Sequence, residues 1–314
     1  MKRSRKQTIS ALAALAVPAV FTGKGLDNGL TVQRYSVETD KLSEPVRMVF
    51  LSDLHSCDYG EGQAKLLNEV EAQCPDLVLL GGDWVDDDFR RLDAGRAYEA
   101  AQALAERWPV FYVTGNHEIL SGRAEEIKEK LAGCGVSVLS GSREQVEIRG
   151  QRLQICGLED PAAGETAWRD ALAELGRDLD RDLVSVLLTH RPERAEDYGS
   201  FDLVLAGHAH GGQWRIPGLI NGLIAPDQGL FPAYAGGSYV LEGGGTLIVG
   251  RGLARESTRL PRFYNPPEVV AVDLLPAVSQ ESKNPRRGPL SKTTDFLFSE
   301  KTGKFHVVNC RILR

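Results

Sequence analysis

Five times along this chain an apolar, strand-like run ends abruptly in a short polar motif that carries histidine or aspartate. Val49-Phe50-Leu51-Ser52 runs into Asp53-Leu54-His55, and Leu77-Val78-Leu79-Leu80 into Gly81-Gly82-Asp83. Val110-Phe111-Tyr112-Val113 precedes Gly115-Asn116-His117-Glu118, Val184 to Thr189 precedes His190, and Leu203-Val204-Leu205 precedes Gly207-His208-Ala209-His210. Continuous apolar runs of this kind suit strands covered on both faces. Polar residues at their carboxyl ends then gather at one rim, where hard and borderline metal ligands can converge. Five of the six histidines lie in these motifs, and only His306 stands apart.

Between the runs the pattern changes period. Helices are expected over Gln63 to Gln73, Asp93 to Arg107, Arg123 to Cys134 and Glu165 to Leu175. Extended segments are expected over Thr31 to Thr39, Val136 to Leu139, Gln145 to Ile148, Leu153 to Cys156, Thr246 to Val249 and Val269 to Val272. Such alternation implies a layered α/β fold. Arg149-Gly150 sits in a hairpin position, so part of the sheet should be antiparallel. At 314 residues and 42% hydrophobic, the chain can bury one large core. The boundaries read as a single domain over 31–275, an N-terminal appendage over 1–25 and a basic tail over 277–314 whose composition suits disorder.

The appendage sets Lys2, Arg3, Arg5 and Lys6 before the apolar stretch Ile9 to Phe21, which is shorter than the roughly 20 residues of a spanning helix. That arrangement is read as a secretory signal peptide or a membrane-surface anchor, which places the protein outside the cell or at its membrane. A net charge of −6 gives no bulk attraction to nucleic acid. Five widely spaced cysteines without a CxxC pair indicate neither a disulfide framework nor a thiolate zinc site. Residues 211–245, rich in glycine and proline, read as a long loop or lid, or as an apolar loop packed over a sheet.

The motifs supply the donors of two sites. Asp53 and His55 are two apart and can turn toward one ion. Asp83 follows two glycines, and its two oxygens can bridge two cations. Asn116 offers a neutral oxygen, while His190, His208 and His210 offer imidazole nitrogens. One site is then Asp53, His55, Asp83 and His210, and the other is Asp83, Asn116, His190 and His208. Two divalent cations set against the carboxylates of Asp53 and Asp83 leave a net positive pocket suited to phosphate. Such a pair can hold a bridging hydroxide as nucleophile and polarise phosphoryl oxygens. Mixed N and O donors without thiolate permit Mn²⁺, Fe or Zn²⁺, with Mn²⁺ the first expectation. Asp87 and Asp88 read as a solvated helix start, and Asp86 or Glu118 as groups that orient their neighbours.

The ordered set DLH, GGDWVDD, GNHE, TH and GHAHGGQ resembles the calcineurin-like metallophosphoesterases, particularly a bacterial branch with an N-terminal signal or anchor. The resemblance covers about Val32 to Val272. It implies a double β-sheet sandwich flanked by helices, a dinuclear site, and hydrolysis of phosphoester or pyrophosphate bonds. It also gives His117 the role of catalytic histidine, and it sets Arg251 where relatives carry an arginine that can grip phosphate. As an alternative, Arg251 is a structural pair partner. A diester or pyrophosphate is preferred over a monoester, and the N-terminus with the apolar 216–231 stretch motivates a lipid-linked or nucleotide-sugar substrate. Two other functions fit the motifs less well. Dinuclear amide hydrolases place HxH first rather than last, and a metal-free scaffold of the same fold would show broken ligand motifs.

Overall fold

The structure, a computed structural model, describes residues 25–87, 93–255 and 261–277. The expected signal or anchor up to residue 24 and the basic tail from 278 lie outside the described residues, as do Asp88 and His306. In chain order the first half comprises β1 (Thr31–Thr39), β2 (Val46–Leu51), α1 (Ala64–Glu71), β3 (Leu77–Gly81), α2 (Gly95–Ala105), β4 (Val110–Val113), α3 (Asn116–Leu120), α4 (Ala124–Gly133) and β5 (Ser137–Val138). The second half comprises β6 (Ser142–Ile148), β7 (Gln151–Gly157), α5 (Glu165–Arg177), β8 (Val184–Leu188), β9 (Leu203–Ala206), β10 (Ile224–Ala225), β11 (Gly229–Leu230), β12 (Gly237–Val240), β13 (Thr246–Val249) and β14 (Glu268–Pro276).

These strands form two six-stranded sheets and one small hairpin. The first sheet has the order β1-β14-β2-β3-β4-β5, the second β12-β13-β9-β8-β7-β6, and β10 pairs with β11. Alternating side chains explain the layers. Met48, Phe50, Leu77 and Leu79 point between the sheets, where they meet Val186, Leu188, Leu203, Leu205 and Ile248. Val49, Leu51, Val78 and Leu80 point the other way, onto Leu66, Val70, Ala100, Leu104 and Leu131 of the helices. On the far side, Leu187, Val204 and Leu247 pack against Trp168, Leu172 and Leu175. The result is the helix-flanked α/β double sandwich that the family resemblance implied.

Register is what places the site. β2, β3 and β4 run parallel, with Leu51 opposite Leu80 and Gly81 opposite Val113. Their carboxyl ends are therefore level, and Asp53, Asp83 and Asn116 leave from one rim. In the second sheet Leu188 lies opposite Leu205, which levels the ends leading to His190 and His208. The hairpin expected at Arg149-Gly150 joins antiparallel β6 and β7. Residues 211–245 depart from the expected irregular loop. They contain the β10–β11 hairpin and β12, whose pairing with β13 extends the second sheet. Cys57, Cys134 and Cys156 are free, in keeping with the absence of a disulfide framework in the spacing, while Cys74 is disulfide-bonded.

Candidate metal centre

Five of the residues that the motifs contribute adopt the left-handed backbone region: Asp53 (φ 51°), His55 (φ 47°), Asp83 (φ 50°), His208 (φ 64°) and His210 (φ 47°). A side chain with a Cβ rarely sits there, at a cost of about 1–3 kcal/mol. The surroundings hold the strain in place. Asp53 N donates to Gly82 O at 3.0 Å and His55 N to Asp83 O at 2.9 Å. Both oxygens of Asp53 accept from His208 N, at 3.0 and 3.2 Å, which ties the two sheets together at the site. Close approach also requires glycine. A Cβ on Gly115 would stand 2.2 Å from Asp83 Oδ1, and one on Gly207 would stand 2.6 Å from Asp53 Oδ2.

Each turn aims its side chain at a common centre. Donor atoms of Asp53, His55, Asp83 and His210 all lie within 4.8 Å of one another, and so do those of Asp83, His190 and His208. Asp83 belongs to both groups. Its Oδ2 lies 3.6 Å from His55 Nε2 and 3.1 Å from His190 Nε2, while its Oδ1 accepts from His117 N at 2.8 Å. Nε2 of His55, Nε2 of His190, Nδ1 of His210 and Oδ1 of Asn116 are buried without a hydrogen-bond partner. Leaving such atoms unsatisfied costs about 1–3 kcal/mol each, so the two that flank Asp83 Oδ2, Nε2 of His55 and Nε2 of His190, call for a ligand between them. Imidazole nitrogens, carboxylates and an amide oxygen around two points fit two divalent cations.

Electrostatics divides the four histidines: against the downward push of burial, Asp83 and Asp53 lift His190 to about 10 and Asp86, Asp83 and Asp53 raise His55, so these two hold a proton in the place a cation would take, while the other two do not. Burial pushes His208 down to about 2, reinforced by the charges of His190 and Arg191. Burial likewise holds His210 down at about 3 against the nearby Asp53. Both are neutral imidazoles, the form that binds metal. Burial would raise Asp83, but His190 and His55 beside it keep its carboxyl well below the usual range.

A second ring of contacts fixes the first. His190 Nδ1 donates to Gly81 O at 2.7 Å, which leaves Nε2 as the inward nitrogen. His55 Nδ1 donates to Asp86 Oδ2 at 3.1 Å, as the orienting role considered for Asp86 requires. Asp87, expected at a solvated helix start, instead meets His117 Nδ1 at 2.9 Å. The fully buried Glu118 accepts from the amides of Asp83 (2.9 Å), Gly115 (2.8 Å) and Val85 (2.9 Å), clamping two of the motifs. Burial and then the charge of Asp83 push its carboxyl up to about 7. Glu118→Ala would strand those three buried donors, so denaturant unfolding should show a loss on the order of 3–5 kcal/mol. Glu118→Gln, with one acceptor retained, should recover part of it. An alanine variant as stable as the parent would remove the clamp.

The structure also assembles residues that the motifs did not flag. Arg191 donates to both oxygens of buried Asp160, at 2.5 and 3.0 Å, and its Nη1 reaches His208 Nε2 at 3.0 Å. Asp227 meets the same His208 nitrogen at 2.9 Å and also pairs with Arg191. Arg262 is buried and donates to the carbonyls of Ala254 (2.7 Å) and Arg251 (2.8 Å), holding the loop whose Gly252 backs onto Asp53. The Arg251 guanidinium pairs with Glu268 and lies 3.3 Å from the Thr31 hydroxyl. This is the pair-partner position, outside the clustered donors.

Comparison with known proteins follows the same residues. Residues 46–212 match the family model for calcineurin-like phosphoesterases, a span that contains both donor groups. The chain is 31% identical over 257 residues to an uncharacterized metallophosphoesterase of Aquifex aeolicus, covering 78% of this chain and 92% of the relative. It is 28% identical over 291 residues to the uncharacterized metallophosphoesterase YkuE of Bacillus subtilis, covering 87% and 98%. With phosphodiesterase YaeI of Escherichia coli it shares 31% identity over 190 residues, covering 58% and 66%.

Proposed function

The chain belongs to the calcineurin-like phosphoesterase family, and on that premise we propose that this phosphoester hydrolase cleaves a phosphodiester or pyrophosphate bond at a centre for two divalent cations. Asp53, His55, Asp83 and His210 would hold one cation, and Asp83, Asn116, His190 and His208 the other. The supporting observation is the Asp83 carboxylate shared by two donor groups and flanked by the unpartnered buried Nε2 atoms of His55 and His190. When bound, such cations supply Lewis acidity that activates water and polarises the phosphoryl oxygens. The protein's own part is geometric and electrostatic. Strained turns, the Glu118 clamp and the Asp53–His208 bonds fix the donors before substrate arrives.

His117 is left to handle the proton. Asp87 holds Nδ1, which leaves Nε2, 3.9 Å from Asp83 Oδ2, as the nitrogen that would exchange a proton with substrate. The ring is 31% exposed, unlike the buried His55 and His190, and it can meet the leaving oxygen of a bound ester. Nitrogen and oxygen donors without thiolate suit Mn²⁺ first, with Fe or Zn²⁺ also admitted. A diester preference accords with the phosphodiesterase name of one relative. Turnover of bis-p-nitrophenyl phosphate with Mn²⁺ should exceed that of p-nitrophenyl phosphate under the same conditions. A strong preference for the monoester would overturn the bond class.

A further inference from the structure

We infer that the segment from Trp214 to Phe231, together with the chain's entry at Gly25 and Leu26, is a docking face for a lipid bilayer that carries anionic phospholipid. Nine large hydrophobic side chains are exposed among the described residues, and seven of them lie here: Leu26, Trp214, Ile216, Leu219, Ile224, Leu230 and Phe231. A soluble surface scatters such residues singly, so their concentration marks a contact site. Leu219, 79% exposed, lies in the turn closed by the Ile216–Ile220 bridge, and Ile224 and Leu230 face each other across the open end of the β10–β11 hairpin, with Phe231 next to them; Leu230 and Phe231 are each 66% exposed. Exposed apolar side chains of this kind suit the interfacial zone of a bilayer, which accepts side chains one by one.

A cation lies beside the Leu219 turn. Arg215 lines a cavity of about 530 Å³ together with Ile216, Leu219, Asn221, Arg251 and Tyr264. Its Nη2 donates to Asn221, but Nη1 is buried with no hydrogen-bond partner. The carboxylate nearby, Glu268, is already paired with Arg251, so the two guanidiniums exceed it by one charge. Burial and then the charge of Arg251 press Arg215 below its usual range, a cost that an anion in the cavity would relieve. A phosphate group fits an arginine with free donors, and the apolar rim fits the acyl chains attached to it. The segment's own carboxylate, Asp227, is turned away from this surface toward Arg191 and His208.

The route of the chain adds an independent reason. Lys2, Arg3, Arg5, Lys6 and the apolar stretch Ile9 to Phe21 precede Gly25. Gly25 O accepts from Tyr264 N at 2.6 Å, and the neighbouring Phe263 packs at a tilt against Trp214, ring centroids 6.0 Å apart, and its carbonyl accepts from Arg215 N at 2.9 Å. The described chain therefore begins, at Gly25, next to the residues that hold Trp214 and Arg215, and the sequence before it is basic and apolar. Contact with a bilayer does not require hydrolysis, and the inference stands or falls apart from the proposed function.

The test uses the full chain and phosphatidylcholine vesicles with and without phosphatidylglycerol, some carrying brominated acyl chains that quench tryptophan. Residues 1–24 contain no tryptophan, Trp84 and Trp168 are buried, and Trp108 is partly buried against the core under the helices, so the share of quenching that depends on Trp214 reports on this face. Quenching is expected for the parent and should be lost in Trp214→Phe. Leu219→Asp combined with Phe231→Asp should weaken partitioning about tenfold or more and leave hydrolysis of bis-p-nitrophenyl phosphate unchanged. Arg215→Gln should abolish the preference for the anionic vesicles. A parent that shows no quenching, or a Trp214→Phe variant quenched as strongly as the parent, overturns the docking face even if the aspartate variant fails to fold.

Discussion

Replacing Asp83 with asparagine is expected to lower phosphodiester turnover by several orders of magnitude and to remove at least one metal ion per chain. The reason lies in one atom. Oδ2 lies 3.6 Å from His55 Nε2 and 3.1 Å from His190 Nε2, and Asp83 is the residue that the two donor groups have in common. An amide offers one oxygen and two N–H donors, so it can neither carry the negative charge nor present acceptors to two cations at once. The fold should survive the change. The backbone amide of Asp83 bonds to Glu118 and its carbonyl to His55 N, and both contacts are independent of the side chain. Elemental analysis of the purified variant, alongside its rate, separates the outcomes. Normal metal content with a near-parental rate would remove Asp83 from the bridging position.

Much of this centre was legible because its residues end continuous apolar runs. Met48 to Leu51 and Leu77 to Leu80 are buried on both faces, a pattern that identifies interior strands, and polar residues at their ends have nowhere to go except the rim. Helix positions followed from period in the same way. Glu165–Arg177 begins where expected and extends two residues further, and Ala124–Gly133 lies within the expected span. The pairing of two sheets is different. It came from resemblance, since period alone does not say which runs share a sheet.

What the sequence hid is long-range and polar. Asp160 and Asp227 lie 31 and 36 residues from Arg191, in stretches with no motif, and only the closed sandwich brings them to one guanidinium. Arg262 and Asn265 look like ordinary loop residues until the loop over Asp53 is built, where Asn265 Nδ2 donates to His210 O at 2.7 Å. The strand β12 was obscured by the glycines around it, because its stability comes from pairing with β13 rather than from local propensity. Asp87 was read from its acidic neighbours as part of a helix start, although its partner His117 is 30 residues away.

Truncating His117 should have the opposite signature to the Asp83 change: metal retained, turnover slowed by about 10² to 10⁴. Its ring packs edge-on against His55 with centroids 4.4 Å apart, but its Nδ1 is committed to Asp87 and the ring is partly open to solvent. Its donor atom clusters with those of His55 and Asp86, outside the two groups that share Asp83. An acid that protonates the leaving oxygen matters most when that oxygen is a poor leaving group. His117→Ala should then slow an alkyl phosphodiester far more than a p-nitrophenyl diester, whose phenolate departs with little help. Asp87→Asn should shift the same ratio in the same direction by a smaller factor, because it loosens the orientation of the imidazole without removing it. Equal losses on both substrates, accompanied by a missing metal ion, would make His117 a ligand and return the proton to another group.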